Sequence, residues 1–303
     1  MSDLQKYQAE PSRTKSFLLN LLQQNATPEA MEWLQKKLAQ LEVSTADKDL
    51  YLAFSSVPRY MGKAPLDLTP EQAAEAQTLR KGLTLANWTV DQTARTLLLL
   101  ALPHDKKDAF VTRIETLFTS ADMRELVALY AALPLLPYPD AFKKRAAEGF
   151  RSNMGNVFEA VALDTPYPAD YLEEEAWNHM VLKTLFVAKP LYRIQGIDKR
   201  ANAKLAHILS DYAHERWAAG RPVSPELWRP MGPFIDDALL PDIKRLFAQP
   251  DPLQQQAAAL ACSQSTHSGA KALLDEHPQL KERITSGELT WDQIGNELLA
   301  LQS

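Results

Sequence analysis

The residues in this chain that most resemble chemistry lie between Asn153 and Phe234, where three of the six tryptophans and three of the six histidines fall. His207, Asp211 and His214 stand at i, i+4 and i+7, which places three potential ligands for a divalent metal on one face of a helix. Glu175 and His179, one helix earlier, are the residues that would complete such a set. The spacing matches no HExxH zinc motif, cysteine pair or tandem ExxH pair. The same stripe is the polar side of its helix, so a solvated face competes with a metal site.

A second group is defined by residues that face the wrong way. On a helical wheel the 169–188 helix is apolar almost all round, and Trp177, Met180, Val181, Thr184, Leu185 and Val187 cover most of it. Asn178 falls inside that apolar arc with Glu174 beside it, while His179 and Lys183 share its only gap. A buried amide or carboxylate is costly unless paired, so each is expected to have a partner or to line a polar pocket. On the 201–219 helix, Leu205, Ile208, Leu209, Tyr212 and Ala213 form an apolar face with Arg216 at its centre. Two readings of Arg216 stay open: an ion pair with Glu174 or Glu159, or an anion site that uses its planar fork. Glu159, Glu174, Asn178, Lys183, Arg216 and His214 are therefore the candidate ligand-binding residues. Arg221, Trp228 and Arg229, set among the prolines of GRPVSPELWRPMGPF, are candidates for an interaction surface or for a helix-to-helix corner.

Helix is the element that must position these groups. The fold class expected is all-α, as antiparallel helix pairs forming an α-solenoid of HEAT-like units or an irregular helical bundle. Thr27-Pro28-Glu29, Thr69-Pro70-Glu71 and Ser224-Pro225-Glu226 each combine a capping hydroxyl, a proline suited to the first helical position and an acid at the positive end of the dipole. Thr69, Thr89 and Thr290, each followed by Gln three residues on, fit the capping box. Helices are expected near 13–24, 28–41, 46–57, 70–81, 90–102, 105–118, 121–132, 139–150, 153–163, 169–188, 201–219, 236–248, 252–263, 268–275 and 290–301. A loop is expected over 58–68. The stretch Ala238–Leu274, a helix, an Asp-Pro turn and then an Ala-rich helix, has a HEAT-like layout, and Met123–Ala162 is a looser version. The expected organisation is one all-α domain over 1–303, with a possible subdivision into 1–60, 69–234 and 235–303.

Composition removes several function classes. Hydrophobic residues make up 46% and charged residues 23%, which suits a globular chain with a sizeable core. A net charge of -5 supplies no sequence-wide field for nucleic acid or anionic lipid. One cysteine, Cys262, excludes an intramolecular disulfide and a cysteine-rich metal site. The opening MSDLQKYQAEPSRTKS has no apolar core of the secretory kind, and the longest apolar run, Leu97–Pro103, is far short of a membrane span. A cytoplasmic protein with at most peripheral membrane contact is expected. No GxSxG, phosphate loop or GxGxxG occurs, so no cofactor and no catalytic residue is assigned, and binding is favoured over catalysis.

Six phrases in the central stretch carry a family resemblance: NVFEAVA (Asn156–Ala162), PYPADY (Pro166–Tyr171), AWNHMVLK (Ala176–Lys183), DKRAN (Asp198–Asn202), DYAHERWAAGR (Asp211–Arg221) and PELWR (Pro225–Arg229). In this wording the chain resembles the EboA family of bacterial metabolite traffic proteins. Gln is common in that family where this chain has His179, which argues against a metal or catalytic role there. The resemblance implies a product of the ebo (or edb) cluster. The cluster's other products look like a prenyltransferase, a TatD-like hydrolase, an isomerase-like barrel and a dehydroquinate synthase-like enzyme. It implies a role in moving or exporting a secondary-metabolite precursor, with a small metabolite or the other cluster proteins as partners. It supplies no catalytic residues to carry over.

Overall fold

A computed structural model describes residues 8–302, and the reading of the opening residues as leaderless falls in part on residues 1–7, outside that range. Among the described residues seventeen α-helices and several 3-10 helices account for the fold, and no strand forms beyond one isolated bridge between Pro65 and Thr89. The all-α expectation holds. No described helix is long and apolar enough to cross a membrane. The chain divides between Leu172 and Glu173 into two compact units.

The first unit contains α1 (Pro11–Asn25), α2 (Pro28–Val43), α3 (Asp47–Met61), α4 (Pro70–Leu79), α5 (Val90–Leu100), α6 (Lys107–Ser120), α7 (Met123–Ala132), α8 (Lys143–Arg151), α9 (Gly155–Ala162) and α10 (Tyr167–Tyr171). Its organising helix is α5, every residue of which is buried, packed by α1, α2, α3 and α7. Because α5 has no solvent face, its polar residues must be satisfied inside. Arg95 is 1% exposed, donates to Asp91 Oδ2 at 3.0 Å and to the Phe54 carbonyl at 3.2 Å, and lies 5.3 Å from the Phe54 ring centre. Thr89 Oγ1 donates to Asp91 Oδ1 at 2.6 Å.

The second unit contains α11 (Glu174–Phe186), α12 (Ala203–Ala218), a 3-10 helix over Pro225–Phe234, α13 (Leu240–Phe247), α14 (Pro252–Gln264), α15 (Ser268–Asp275), α16 (Pro278–Thr285) and α17 (Trp291–Gln302). Here α14 is central and packs against the Pro225–Phe234 helix, α13, α15, α16 and α17. Its small residues permit close approach: Ala257, Ala258, Ala259, Ala261 and Cys262 are all buried. A Cβ on Gly232 would lie 2.8 Å from the Ala261 carbonyl oxygen and 2.7 Å from Gln264 Oε1, so only glycine fits there.

Local signals located most helix starts, and tertiary structure corrected several. The capping boxes at Thr69 and Thr290 form, and Thr27 caps α2. The box at Thr89 does not, because its hydroxyl is spent on Asp91. The expected 169–188 helix breaks into α10 and α11, so the run is not one central buried helix. Glu174 lies in the first turn of α11 and is exposed, and Phe186 is 70% exposed. Helix α3 continues through Pro58 to Met61, shortening the expected loop; the Phe54 carbonyl that Pro58 cannot bond accepts from Arg95 Nε instead. Helix α16 was not expected, and none of its residues is buried, so it carries no strong apolar period.

Candidate functional site

The second unit holds a cavity of about 680 Å³ whose wall runs from Leu185 to Leu301 in sequence. It is built where α12 ends. Ala219 and Gly220 close the helix, and Gly220 takes φ 64, a left-handed value that glycine adopts without strain. The Arg221 N–H donates to the Arg216 carbonyl at 2.9 Å, tying the outgoing chain to the last turn. Val223–Leu227 then passes along one side of the cavity, α17 contributes Leu298 and Leu299, and the start of α14 contributes Leu253 and Gln254.

Two buried side chains fix that wall. Glu226 is 3% exposed, and its carboxylate accepts the Leu191 N–H at 3.0 Å and the Tyr192 N–H at 2.6 Å. Burial pushes its pKa above the usual carboxylate value, opposed by those two backbone donors. The Ser224-Pro225-Glu226 signal thus opens a 3-10 helix without a hydroxyl cap, and its acid serves a distant turn. Gln254, 5% exposed, accepts from Trp228 Nε1 at 3.2 Å and donates to the Val223 carbonyl at 2.7 Å.

Arg216 is half-buried on this wall. Its Nε donates to the Pro222 carbonyl at 2.9 Å and its guanidinium lies 5.9 Å from the Tyr212 ring centre. Among the described residues no carboxylate pairs with it, so of the two readings the ion pair with Glu174 or Glu159 is corrected. The reason is position: Arg216 sits in the last turn, where the helix ends and a loop carbonyl satisfies it. Arg221 is exposed on the same rim, and its side chain has no partner among the described residues.

Asn178, 2% exposed, has the partner its burial demanded. Its Nδ2 donates to Asn202 Oδ1 at 3.2 Å and its Oδ1 accepts from Asn202 Nδ2 at 2.9 Å. Asn202 Oδ1 also accepts the Leu205 N–H at 2.8 Å as the N-cap of α12, so the amide pair joins α11 to the start of α12.

None of the remaining candidates lines this cavity. Lys183 is half-buried, with its pKa lowered by desolvation, and does not line the cavity. Glu159 lies on α9 in the first unit. Each histidine of the stripe takes its own aspartate: His207 reaches Asp236 at 3.4 Å, and His214 reaches Asp242 at 2.6 Å, where Ser210 also donates at 2.6 Å. Asp211, Glu175 and His179 are exposed. Among the described residues no three of His, Cys, Asp and Glu converge closely enough to hold a metal. Trp228 is fully buried and stacked on Trp217 at 5.7 Å, so it presents no surface. Arg229 clamps Asp198 at 2.8 and 2.7 Å and Asp292 at 3.1 Å, which fixes a corner.

A family model described as "Metabolite traffic protein EboA" matches residues 14–232. The chain belongs to the EboA family. No curated protein and no solved structure matches it. The EboA match takes in Arg216, Arg221 and Glu226, while the walls supplied by α14 and α17 lie beyond it. Sequence reasoning missed Glu226 and Gln254 as wall-fixing groups and Asp91–Arg95 as a buried pair. Only the last carried a readable signal, an acid and a base four residues apart in a helix otherwise rich in leucine.

Proposed function

We propose that this EboA-family protein is a non-enzymatic carrier that holds a small metabolite in the second-unit cavity and passes it along its pathway. The observation that carries this reading is the cavity itself. Its volume falls within the range of small-molecule sites, and it combines leucine walls with two arginines that pair with no carboxylate among the described residues. Its two carboxylates, Glu226 and Asp251, accept backbone N–H groups, an arrangement that serves architecture more than acid–base chemistry. In this reading the protein acts in the cytoplasm beside the cluster's enzymes and touches a membrane at most peripherally.

The test fills the cavity. Leu298 is half-buried on α17, and Leu298→Trp should project an indole into the space without disturbing the buried core. Loss of pathway product, with the circular dichroism spectrum and urea midpoint retained, is the expected result. Unchanged output from a folded Leu298→Trp protein would end the carrier reading. It would leave a scaffold for the cluster's enzymes, which pull-downs from the native host would then have to recover.

A further inference from the structure

Resting on that assignment of the cavity, we infer that its ligand is an amphiphile with one anionic head group, a carboxylate or phosphate monoester, on an aliphatic body. The head group follows from unspent donors. A guanidinium carries five N–H groups, and the single bond from Arg216 Nε to the Pro222 carbonyl leaves four, with the plane of the fork held in place. Arg221 follows the tight turn at Gly220 and is bonded back to Arg216 through its backbone, so the two cations share one rim.

Charge on the wall agrees. Lys189, Arg216 and Arg221 set against Glu226 and Asp251 give three positive and two negative groups, one net positive charge in a chain of net charge -5. Both negative groups already accept backbone N–H groups, at 3.0 and 2.6 Å for Glu226 and 2.9 Å for Asp251. The wall donors without a carboxylate partner among the described residues are those of Arg216 and Arg221, and a bidentate anion suits their planar forks.

The body follows from which apolar surface is on offer. Leu185, Leu227, Leu253 and Leu298 line the space with branched aliphatic side chains. The aromatic wall residues are already engaged. Tyr212 lies beneath Arg216, and Trp217 is stacked on Trp228 at 5.7 Å with Arg245 only 4.0 Å from its ring centre. Each wall ring thus already has a partner that a planar aromatic ligand would compete with, whereas a flexible hydrocarbon can follow the leucines.

The experiment titrates the full-length protein with dodecanoate, dodecyl phosphate, dodecanol, dodecylammonium and naphthalene-2-carboxylate. All are kept below their micellar concentrations, and the anions are repeated at chain lengths from eight to fourteen carbons. Charge-assisted hydrogen bonds predict that the aliphatic anions bind at least about tenfold more tightly than dodecanol. The doubly substituted protein Arg216→Gln, Arg221→Gln should lose most of that preference while keeping its affinity for the alcohol. Equal affinity for dodecanol and dodecanoate would overturn the head group, and tighter binding of naphthalene-2-carboxylate would overturn the body. Binding to phosphatidylglycerol vesicles with none to the monomeric anions would replace the inference with a membrane surface. If no probe binds while Leu298→Trp still abolishes output, the ligand class is wrong and the carrier reading stands. If no probe binds and Leu298→Trp is harmless, both fall.

Discussion

Replacing Asn178 by alanine should damage the fold of the second unit and not its ligand preference, and the structure sets the size of the effect. The substitution deletes the two amide–amide bonds to Asn202, at 3.2 and 2.9 Å. Each is worth about 1 kcal/mol net, and the small void adds to that, so about 2–3 kcal/mol is expected. Asn202 then keeps the Leu205 N–H and the Arg200 carbonyl as partners. The reverse substitution, Asn202→Ala, should cost more. It removes the N-cap of α12, worth about 1 kcal/mol, and leaves both ends of the buried Asn178 amide unmatched at about 1–3 kcal/mol each. The double alanine variant should be less destabilised than the sum, by about 2 kcal/mol, because the shared pair is lost only once. Asn178→Asp should be worse than Asn178→Ala at neutral pH, since it sets a carboxylate oxygen against an Asn202 oxygen whose orientation the Leu205 N–H fixes. Urea titrations followed by the fluorescence of Trp177, the neighbour of Asn178 in α11, would measure all four. A cost below about 0.5 kcal/mol for Asn178→Ala, or two single substitutions that simply add, would refute the coupling.

Glu226→Ala strands the Leu191 and Tyr192 N–H groups and should cost about 2–4 kcal/mol in urea unfolding. Because burial raises the pKa of Glu226, the folded chain binds its proton more tightly than the unfolded chain does. That contribution to stability is present below the ordinary carboxylate range and is lost as pH rises through it toward the folded value. The difference in urea midpoint between the wild type and Glu226→Gln should therefore change with pH across that window, and a flat difference would refute it. Gly232→Ala should destabilise by about 1–3 kcal/mol through its clash with the Ala261 backbone, measured the same way. The Cys262 thiol is buried and its pKa is pushed up to about 12, so in the folded protein at pH 8 it should react with a thiol reagent only as fast as the chain opens; rapid labelling would contradict that.

Sequence and structure divide the explanatory work by range. The starts of α2, α4 and α17 were readable at Thr27, Thr69 and Thr290 because a cap and its partner lie within three residues of one another. The close packing of α14 was readable in its alanines. Thr89 shows the limit even of local signals: the box spacing is present, yet a carboxylate two residues on takes the hydroxyl, drawn in turn to the buried Arg95. The wheel placed Asn178 inside correctly, and Leu185, its neighbour on that face, is buried too. It placed Glu174 inside wrongly because it assumed one helix where the chain makes two.

The sequence by itself determined that this is an all-helical chain of the EboA family, that α2 and α4 begin at a proline behind a capping threonine and α17 behind a third threonine, and that Asn178 needs a partner. Tertiary structure alone decided that the partner is Asn202, that Trp228 is buried and Arg229 a clamp, that Arg216 ends without a carboxylate among the described residues, and that residues from Leu185 to Leu301 line a common space. The physical reason is that a helical period gives the direction in which a side chain points. What stands opposite it is set by packing between segments that the local sequence does not encode.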